Sequence, residues 1–505
     1  MSSIDIEKHA DKKLVNEVES SVENAGQTEL KTAKNLSFIN NIAMMLKAET
    51  KGVELVTDEE KLGEDPWNAA SMWLSANLVI ATISLGALGP GLFGLTFWQS
   101  FITIVFFSLI GALPVAYFSI FGPKLGLRQI FLSKFLVGDY GMRIFAFINM
   151  VACVGWGAVN IMASAQLLHI VNNGALPPWA GCLILIILTI LVTFFGYHVI
   201  HLYEKWSWVP NAILFFIIVA RLCATREFVG GGFPGGTTTA GSVLSFGGAI
   251  YGFATGWTTY ASDYTVYQPR NANSVKIFLY ILLSLWPTLI LGLTLGAACA
   301  TTAVDKTTRL GKWYAEDSIG GLMYGILVDE SLHGFGQFCC VLLSLSTVAN
   351  NIPNMYSIAL SAQAFASPLT KVPRVFWTVA GNFVTLAICI PAYYSFNTAM
   401  DNFMNLIGYY LAIYQSMCLS EHFIYNRNDF SKYDYLNCDD KLKYPVGIAG
   451  VFGFCCGVAG AVVGMDQSWY VGPIAVKIGD FGGDIGFELA FGFAFIGFNI
   501  VRPFE

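Results

Sequence analysis

This 505-residue chain is a succession of long apolar stretches separated by short polar segments. Each stretch has about 17 to 30 residues, and an α-helix needs about 20 to cross the hydrocarbon core of a bilayer. The sequence therefore predicts an all-α polytopic membrane protein. Twelve transmembrane helices are expected, at residues 73–95, 100–121, 144–171, 179–197, 206–223, 243–260, 277–303, 335–366, 376–394, 403–425, 446–465 and 485–501.

Charged residues are scarce, as a lipid-facing surface requires. They make up 12% of the sequence and hydrophobic residues 55%, whereas a soluble domain has about 25% charged residues. Residues 1–68 are the exception, because they hold 14 acidic residues and 8 lysines without a long apolar run. They account for the whole net charge of −6, and we expect them to form a largely disordered cytoplasmic tail. The rest of the chain has no basic patch, which argues against a nucleic-acid partner.

The distribution of lysine and arginine predicts the orientation in the membrane. With the N-terminus inside, the inner loops and C-terminus after residue 68 hold 14 Lys and Arg, and the outer loops hold 6. Cytoplasmic loops carry the positive excess in membrane proteins, so both termini are expected in the cytoplasm. The chain then divides into the tail at 1–68, a ten-span core at 69–425, a cytoplasmic loop at 426–444, and two last helices with a short C-terminus at 445–505.

Two of the predicted spans are interrupted by glycine and proline. The first span contains GALGPG at 86–91, and the sixth contains GFATG at 252–256. Interrupted helices at matching places in two halves are typical of a 5+5 inverted repeat, in which unwound backbone lines a cavity near the middle of the membrane. Glycine and proline are also common in ordinary membrane helices, so the spacing leaves both interpretations open.

The predicted spans contain few groups that support catalysis. His198 and His201 are the nearest approach to a metal-binding pair, but they lie at a helix end beside Glu204 and Lys205. No third ligand is near them, so a polar cluster at the membrane interface is favoured. The cysteines form no C-x-x-C motif. Neither a metal site nor an enzyme is expected.

The spans do contain tryptophans and amides. Trp156 and Asn160 are four residues apart and share a helix face, Trp257 follows the glycines of the sixth span, and Asn354 lies in the eighth. Aromatic faces and amide edges suit a flat, neutral ring such as a nucleobase, because stacking contributes about 1 to 3 kcal/mol per base and an amide offers both donor and acceptor. The alternative is that amides link helix to helix. We favour that alternative for three further amides, those of Gln166, Asn211 and Asn382.

Several longer motifs resemble those of one family. They are, in chain order, GALGP at 86–90, GLRQ at 126–129, CVGWG at 153–157, WAGC at 179–182, YEKWSWVP at 203–210, GFATGWTTY at 252–260 and ANNIPN at 349–354. Together they resemble the fungal purine-cytosine permeases of the nucleobase:cation symporter-1 family. The resemblance runs from Glu49 to Pro503, so only the tail through Lys47 lies outside it.

The resemblance implies a proton symporter of the plasma membrane that imports adenine, guanine, hypoxanthine and cytosine, with the analogue 5-fluorocytosine. It implies the leucine-transporter fold, with spans 1 to 5 and 6 to 10 as inverted repeats and two helices added. Trp156 would stack on the base and Asn160 would hydrogen-bond it. Trp257 would close the opposite face, and Asn354 would read the edge of the base. Thr82 matches a position where the family often has a small hydroxyl.

The coupling ion is expected to be a proton, and no cofactor is expected. Sodium-coupled relatives place a cation between spans 1 and 8, where Ser346 and Thr347 offer oxygens but no carboxylate stands beside them. The proton carrier is unassigned. Asp263, at the end of the sixth span, is interpreted as a capping or pairing residue at the cytoplasmic boundary. Further candidates for the cavity or the cation site are Ser84, Gly256, Asn350 and Asn351.

Two other functions stay open on the sequence. Pyridoxine, thiamine and nucleosides are also flat and polar, and the resemblance extends to transporters of such cargoes. A nutrient-sensing receptor would share every binding feature without net transport. The sequence does not indicate an oligomeric state.

Overall fold

The computed structural model describes residues 52–61, 66–194, 205–372, 374–438 and 440–505. Two short strands, β1 (Asp466–Gln467) and β2 (Tyr470–Val471), form an antiparallel hairpin between the last two helices. Residues 1–51 of the predicted tail and the pair His198 and His201 lie outside the described residues. The α-helices are α1 (Pro66–Asn77), α2 (Ile80–Gly91), α3 (Phe97–Phe118), α4 (Phe121–Leu125), α5 (Gln129–Leu132), α6 (Lys134–Val171), α7 (Pro178–Phe194), α8 (Trp208–Thr225), α9 (Thr237–Thr255), α10 (Ser274–Thr301), α11 (Arg309–Leu327), α12 (His333–Phe365), α13 (Arg374–Ala392), α14 (Phe396–Ser420), α15 (Ile448–Gly464) and α16 (Gly486–Val501).

The described residues form a helical membrane protein with several spans, as predicted. Seven helical segments are long and apolar enough to cross a bilayer, or eight if the bent pair α1 and α2 is one span. Two shorter apolar helices, Pro178–Val192 and Ile448–Gly464, fall below that length. Each predicted stretch contains a helix, while the number of crossings and the inverted repeat stay predictions.

The first span is broken, but not where its glycines lie. α1 and α2 meet at a bend of 53°, and Val79 between them is extended, with φ −134° and ψ 161°. The predicted break at 86–91 is wrong, because α2 continues through these residues. A Cβ added to Gly86 would lie 1.9 Å from the backbone oxygen of Leu293 in α10. This glycine therefore permits close packing of two helices rather than unwinding.

The sixth span is interrupted only from the last residue of the predicted segment 252–256, because α9 continues through Gly252. α9 ends at Thr255, and a 3₁₀ turn follows at Gly256–Tyr260. The two breaks lie side by side, because the indole N–H of Trp257 donates to Oδ1 of Asn77 at 3.1 Å. Both interruptions thus face one region of the helical core.

The helices pack in groups. The first group comprises α1, α2, α3, α9 and α10, which contact mainly one another. The second group comprises α6, α7, α12 and α13. Its centre is the long contact of α6 with α12, which are antiparallel because Asn160 pairs with Asn350 and Asn149 pairs with Ser361. α14, α15 and α16 pack together beside α9. The 3₁₀ turn after α9 lies where the first two groups meet.

A buried carboxylate links the loop before α16 to neighbouring elements. Asp484 accepts from the backbone N–H groups of Asp466 and Gly486, each at 2.8 Å, from Nε2 of Gln467 at 3.0 Å, and from the hydroxyl of Tyr409. Burial raises the pKa of Asp484, and these four donors oppose that rise. The carboxylate is therefore a structural link between α14 and the loop that follows α15.

Two segments differ from the sequence prediction. Residues 53–61 were included in the solvated tail, yet Val56 is buried and its N–H donates to the backbone oxygen of Gly126 at 2.9 Å. Asp58 also pairs with Arg270 at 3.1 Å. The backbone hydrogen bond and the ion pair hold this segment against loops of the helical core. The predicted outer loop after α10 contains helix α11, which packs on α6.

Candidate binding site

The predicted amides meet between α6 and α12. Nδ2 of Asn160 donates to Oδ1 of Asn350 at 2.6 Å and to Oδ1 of Asn351 at 3.2 Å. All three side chains are buried. α12 presents its asparagines one turn apart, so Asn350 and Asn354 share the face toward α6. The structure thus assembles a neutral cluster of amides at the centre of the second group.

Asn354 is held from two sides. Its Nδ2 donates to the backbone oxygen of Asn350 at 3.2 Å, and its Oδ1 accepts from the hydroxyl of Tyr260 at 3.1 Å. Tyr260 also contacts Sγ of Cys153 at 3.3 Å. Sequence reasoning missed Tyr260, although it lies in the GFATGWTTY motif three residues after Trp257. In a 3₁₀ turn that spacing places both rings on one side.

Trp257 joins the two helix breaks. Its ring packs edge-on against Trp73 at 5.1 Å and Tyr260 at 5.7 Å between centroids. The amide of Asn77 accepts its N–H, and Nδ2 of Asn77 donates to the backbone oxygen of Trp73 at 2.8 Å. Asn77 was not predicted as a site residue, because the break in the first span was expected nine residues later. It fixes the orientation of the Trp257 ring.

Trp156 lies on the opposite element, α6. Its ring contacts Phe253 and Phe403 edge-on, at centroid distances of 5.5 and 5.4 Å. A Cβ on Gly256 would lie 2.4 Å from Cζ2 of Trp156, so the absence of a side chain there lets the end of α9 approach the indole. The structure therefore places both tryptophans around the 3₁₀ turn. A base held between their faces stays a prediction.

Thr82 and Ser84 are not brought to the amide cluster. The hydroxyl of Thr82 donates to the backbone oxygen of Asn77 at 2.7 Å, and its methyl group packs at Gly292 of α10. The hydroxyl of Ser84 donates to the backbone oxygen of Ile80 at 2.9 Å. Their hydroxyls stabilise the start of α2, and their predicted part in binding stays a prediction.

Ser346 and Thr347, the candidates for a cation site, lie on α12, where Ser346 contacts the start of α2 and Thr347 contacts α6. Oγ of Ser346 accepts from the N–H of Ile80 at 3.4 Å and donates to the backbone oxygen of Leu343 at 2.5 Å. The hydroxyl of Thr347 hydrogen-bonds to Ser164 of α6. Among the described residues no three His, Cys, Asp or Glu side chains are grouped as metal ligands.

Asp263 has the geometry of a cap. Its Oδ1 accepts from the N–H of Gln129 at 2.8 Å, at the start of α5, and its backbone oxygen accepts from Arg128 at 2.7 Å. Arg128 is the last residue of the loop between α4 and α5, and Gln129 is the first residue of α5. This agrees with the boundary role that we assigned to Asp263 from the sequence.

Comparison with known proteins places these features in a family. Residues 55–486 match the family model described as permease for cytosine/purines, uracil, thiamine, allantoin. Purine-cytosine permease FCY21 of Saccharomyces cerevisiae is 55% identical over 492 residues, which are 97% of this chain and 92% of the relative. Purine-cytosine permease FCY2 of the same yeast is 56% identical over 476 residues, which are 94% and 89% of the two chains. The vitamin B6 transporter TPN1 of S. cerevisiae is 28% identical, with 87% and 84% covered.

Solved structures share the fold. Mhp1, a nucleobase-cation-symport-1 family transporter in a closed conformation with bromovinylhydantoin bound, is similar at a TM-score of 0.62 and 15% identity, over 90% of this chain and 93% of that one. A Na⁺-coupled sialic acid symporter in an outward-open state gives a TM-score of 0.63 at 13% identity, over 94% and 97%. These similarities agree with the leucine-transporter fold that the motifs implied. The chain therefore belongs to the family of permeases for cytosine/purines, uracil, thiamine and allantoin, and is a multi-pass membrane transport protein rather than an enzyme.

Proposed function

We propose that this chain is a proton-coupled symporter that imports purine bases and cytosine across the plasma membrane by alternating access. The observation that carries the proposal is the neutral cluster of Asn160, Asn350 and Asn354, which the hydroxyl of Tyr260 links to the 3₁₀ turn that carries Trp257. Amides supply donors and acceptors without charge, and nucleobase edges need both. The cluster of amides and rings therefore suits adenine, guanine, hypoxanthine and cytosine better than a charged solute.

The division of the core supports alternating access. The first and second helix groups contact mainly themselves, and the amide cluster belongs to the second group. The bond from Tyr260 to Asn354 crosses between the groups. We propose that the first group rocks against the second, so that such crossing bonds break and form while the contacts within each group persist.

Proton coupling is the second part of the proposal. The hydroxyls of Ser346 and Thr347 are engaged in hydrogen bonds within the protein, with Ile80, Leu343 and Ser164 as partners. This arrangement favours a role in linking α12 to α2 and α6 over a role as sodium ligands.

The orientation with both termini in the cytoplasm rests on the lysine and arginine distribution.

A vitamin cargo is the second candidate. The vitamin B6 transporter TPN1 is a relative at 28% identity, whereas the two purine-cytosine permeases reach 55% and 56%. Pyridoxine is flat and hydrogen-bonding, so the amide cluster suits it as well. The higher identity favours nucleobases.

Uptake into a yeast strain that lacks its own base permeases tests the proposal. Cells that express this chain should accumulate labelled cytosine as the unchanged base. Unlabelled adenine, guanine, hypoxanthine and 5-fluorocytosine should compete, and pyridoxine, thiamine and cytidine should not. Binding without accumulation would indicate a receptor. Competition by pyridoxine or thiamine alone would reverse the choice of cargo.

A further inference from the structure

Polar side chains continue along α6 and α12 beyond the amide cluster. They repeat every three or four residues on each helix, and all of them are buried, so each set forms one stripe. Hydrogen bonds connect the two helices in antiparallel order, from Ser164 with Thr347 through Asn160 with Asn350 to Asn149 with Ser361. On α6 the stripe consists of Asn149, Cys153, Trp156, Asn160 and Ser164. On α12 it consists of Ser346, Asn350, Asn354, Ser357 and Ser361.

The proposed binding site uses only part of these stripes, and the remainder forms a second polar layer around Asn149. Nδ2 of Asn149 donates to Oγ of Ser361 at 2.8 Å and to Oγ of Ser357 at 3.1 Å. Oδ1 of Asn149 accepts from the hydroxyl of Thr259 at 2.8 Å, and the hydroxyl of Tyr410 lies 3.5 Å from the same oxygen. The layer contains an amide, hydroxyls and a ring, but no charged group.

The second layer lies further along both helices. Asn149 precedes Asn160 of the amide cluster by eleven residues, and Ser357 and Ser361 follow Asn354 by three and seven. At a rise of about 1.5 Å per residue, Asn149 is about 16 Å from Asn160 along α6, and the two serines are about 5 and 10 Å from Asn354 along α12. The displacement points toward the end of α6 that carries Lys134, which is the cytoplasmic end in the proposed orientation. A base that leaves the amide cluster toward the cytoplasm meets this layer next.

The bond to Thr259 distinguishes this layer from a permanent link between helices. Asn149, Ser357 and Ser361 belong to the second helix group, whereas Thr259 comes from the 3₁₀ turn after α9. When the groups separate, Oδ1 of Asn149 loses that partner. Only the longer contact with the hydroxyl of Tyr410, at 3.5 Å, then remains to that oxygen. Weakening the hydrogen bonding of a buried carbonyl is costly, and the edge of a passing base offers a donor. The amide and the two serines of α12 then present donors and acceptors to the open cavity.

Building on the proposed transport of nucleobases, we propose that Asn149, Ser357 and Ser361 form a second base-binding station on the release side. Its ligand is a neutral heteroaromatic ring with a donor and an acceptor on one edge. The station lowers the barrier for a base that moves from the amide cluster to the cytoplasm. It also captures bases that enter from the cytoplasmic side during exchange.

The test compares binding from the two sides of the membrane. Cells with wild-type chain or Asn149→Leu are preloaded with a range of cytosine concentrations, and exchange with labelled external cytosine is measured. Leu keeps the volume and removes the hydrogen bonds. The internal half-saturation concentration should rise by about 5- to 100-fold, as expected for loss of one or two buried hydrogen bonds. The external half-saturation concentration should stay within about twofold.

Asn382→Leu is the matched control, because Asn382 is a buried amide whose Nδ2 donates within its own helix, to Thr378 at 2.8 Å. Asn382→Leu should change neither the internal nor the external half-saturation concentration. If Asn149→Leu does not reach the cell surface, Asn149→Ser is measured in the same way. The second station would be overturned if a surface-expressed variant had the same internal half-saturation concentration as the wild type. It would also be overturned if the internal and external half-saturation concentrations rose by the same factor. Absence of cytosine exchange in the wild type would instead refute the proposed function itself.

Discussion

Asn354 provides the sharpest test of the binding site. The side chain is 1% exposed, donates to the backbone oxygen of Asn350 and accepts from Tyr260. Asn354→Ala removes the proposed contact to the base and leaves the Tyr260 hydroxyl without this acceptor. A buried polar group without its partner costs about 1 to 3 kcal/mol. Affinity for cytosine and adenine should therefore fall by about 5- to 150-fold.

Asn354→Asp separates recognition from packing. The carboxylate keeps an acceptor for Tyr260 but lacks the donor of the amide. It should therefore change the order of preferred bases rather than lower all of them equally. The assay is competition of each base against labelled cytosine uptake, at matched surface expression, with Asn382→Ala as the control. An equal loss of affinity for every base would indicate a role of Asn354 in gating. An unchanged order of preferred bases with unchanged affinities would indicate that Asn354 only links helices.

Three further predictions follow from other parts of the structure. Replacing Trp156 or Trp257 by Ala should weaken cytosine binding by about 1 to 3 kcal/mol while Phe retains most of it, because stacking needs an aromatic face; exposed Trp98→Ala is the control, and equal losses for Phe and Ala would refute stacking. Deleting residues 1–40, which precede the packed segment 53–61, should leave the half-saturation concentration unchanged at equal surface expression, and a large rise would contradict a tail outside the core. Asp484→Asn should lower the melting temperature of the purified protein, because the substitution replaces one oxygen that accepts hydrogen bonds with an NH₂ group that faces the same donors. Asp480→Asn, at an exposed position, should leave the melting temperature unchanged. Equal effects of the two substitutions would refute the structural link.

Sequence patterns predicted the apolar helices and the helix face that Trp156 shares with Asn160, because both depend on local spacing. The contact of Asn160 with Asn350, 190 residues away, depends on the fold. Hydrophobic length marks a span, and a four-residue interval places Trp156 and Asn160 on one face. The position of the first break could not be predicted from glycine, since Gly86 serves close packing against α10. Asn77 is the last residue of α1, and its Oδ1 accepts from the indole N–H of Trp257, 180 residues away.

The remaining differences also arise from contacts between distant parts of the chain. Helix α11 lies in a segment with several charged residues, and its non-helical Asp317 and Ser318 interrupt the apolar period. The segment 53–61 is polar in composition, and its ion pair with Arg270 became visible only in the folded chain. Tyr260 lay within a recognised motif, but only the 3₁₀ turn shows that its hydroxyl reaches Asn354.

Accumulation of labelled cytosine by vesicles that contain only the purified chain tests the central claim most directly. With an imposed inward proton gradient and no sodium, the internal concentration of cytosine should rise above the external one. A protonophore should abolish the accumulation, and an inward sodium gradient without a proton gradient should not restore it. Accumulation that requires sodium, or equilibration without accumulation under the proton gradient, would contradict proton-coupled import.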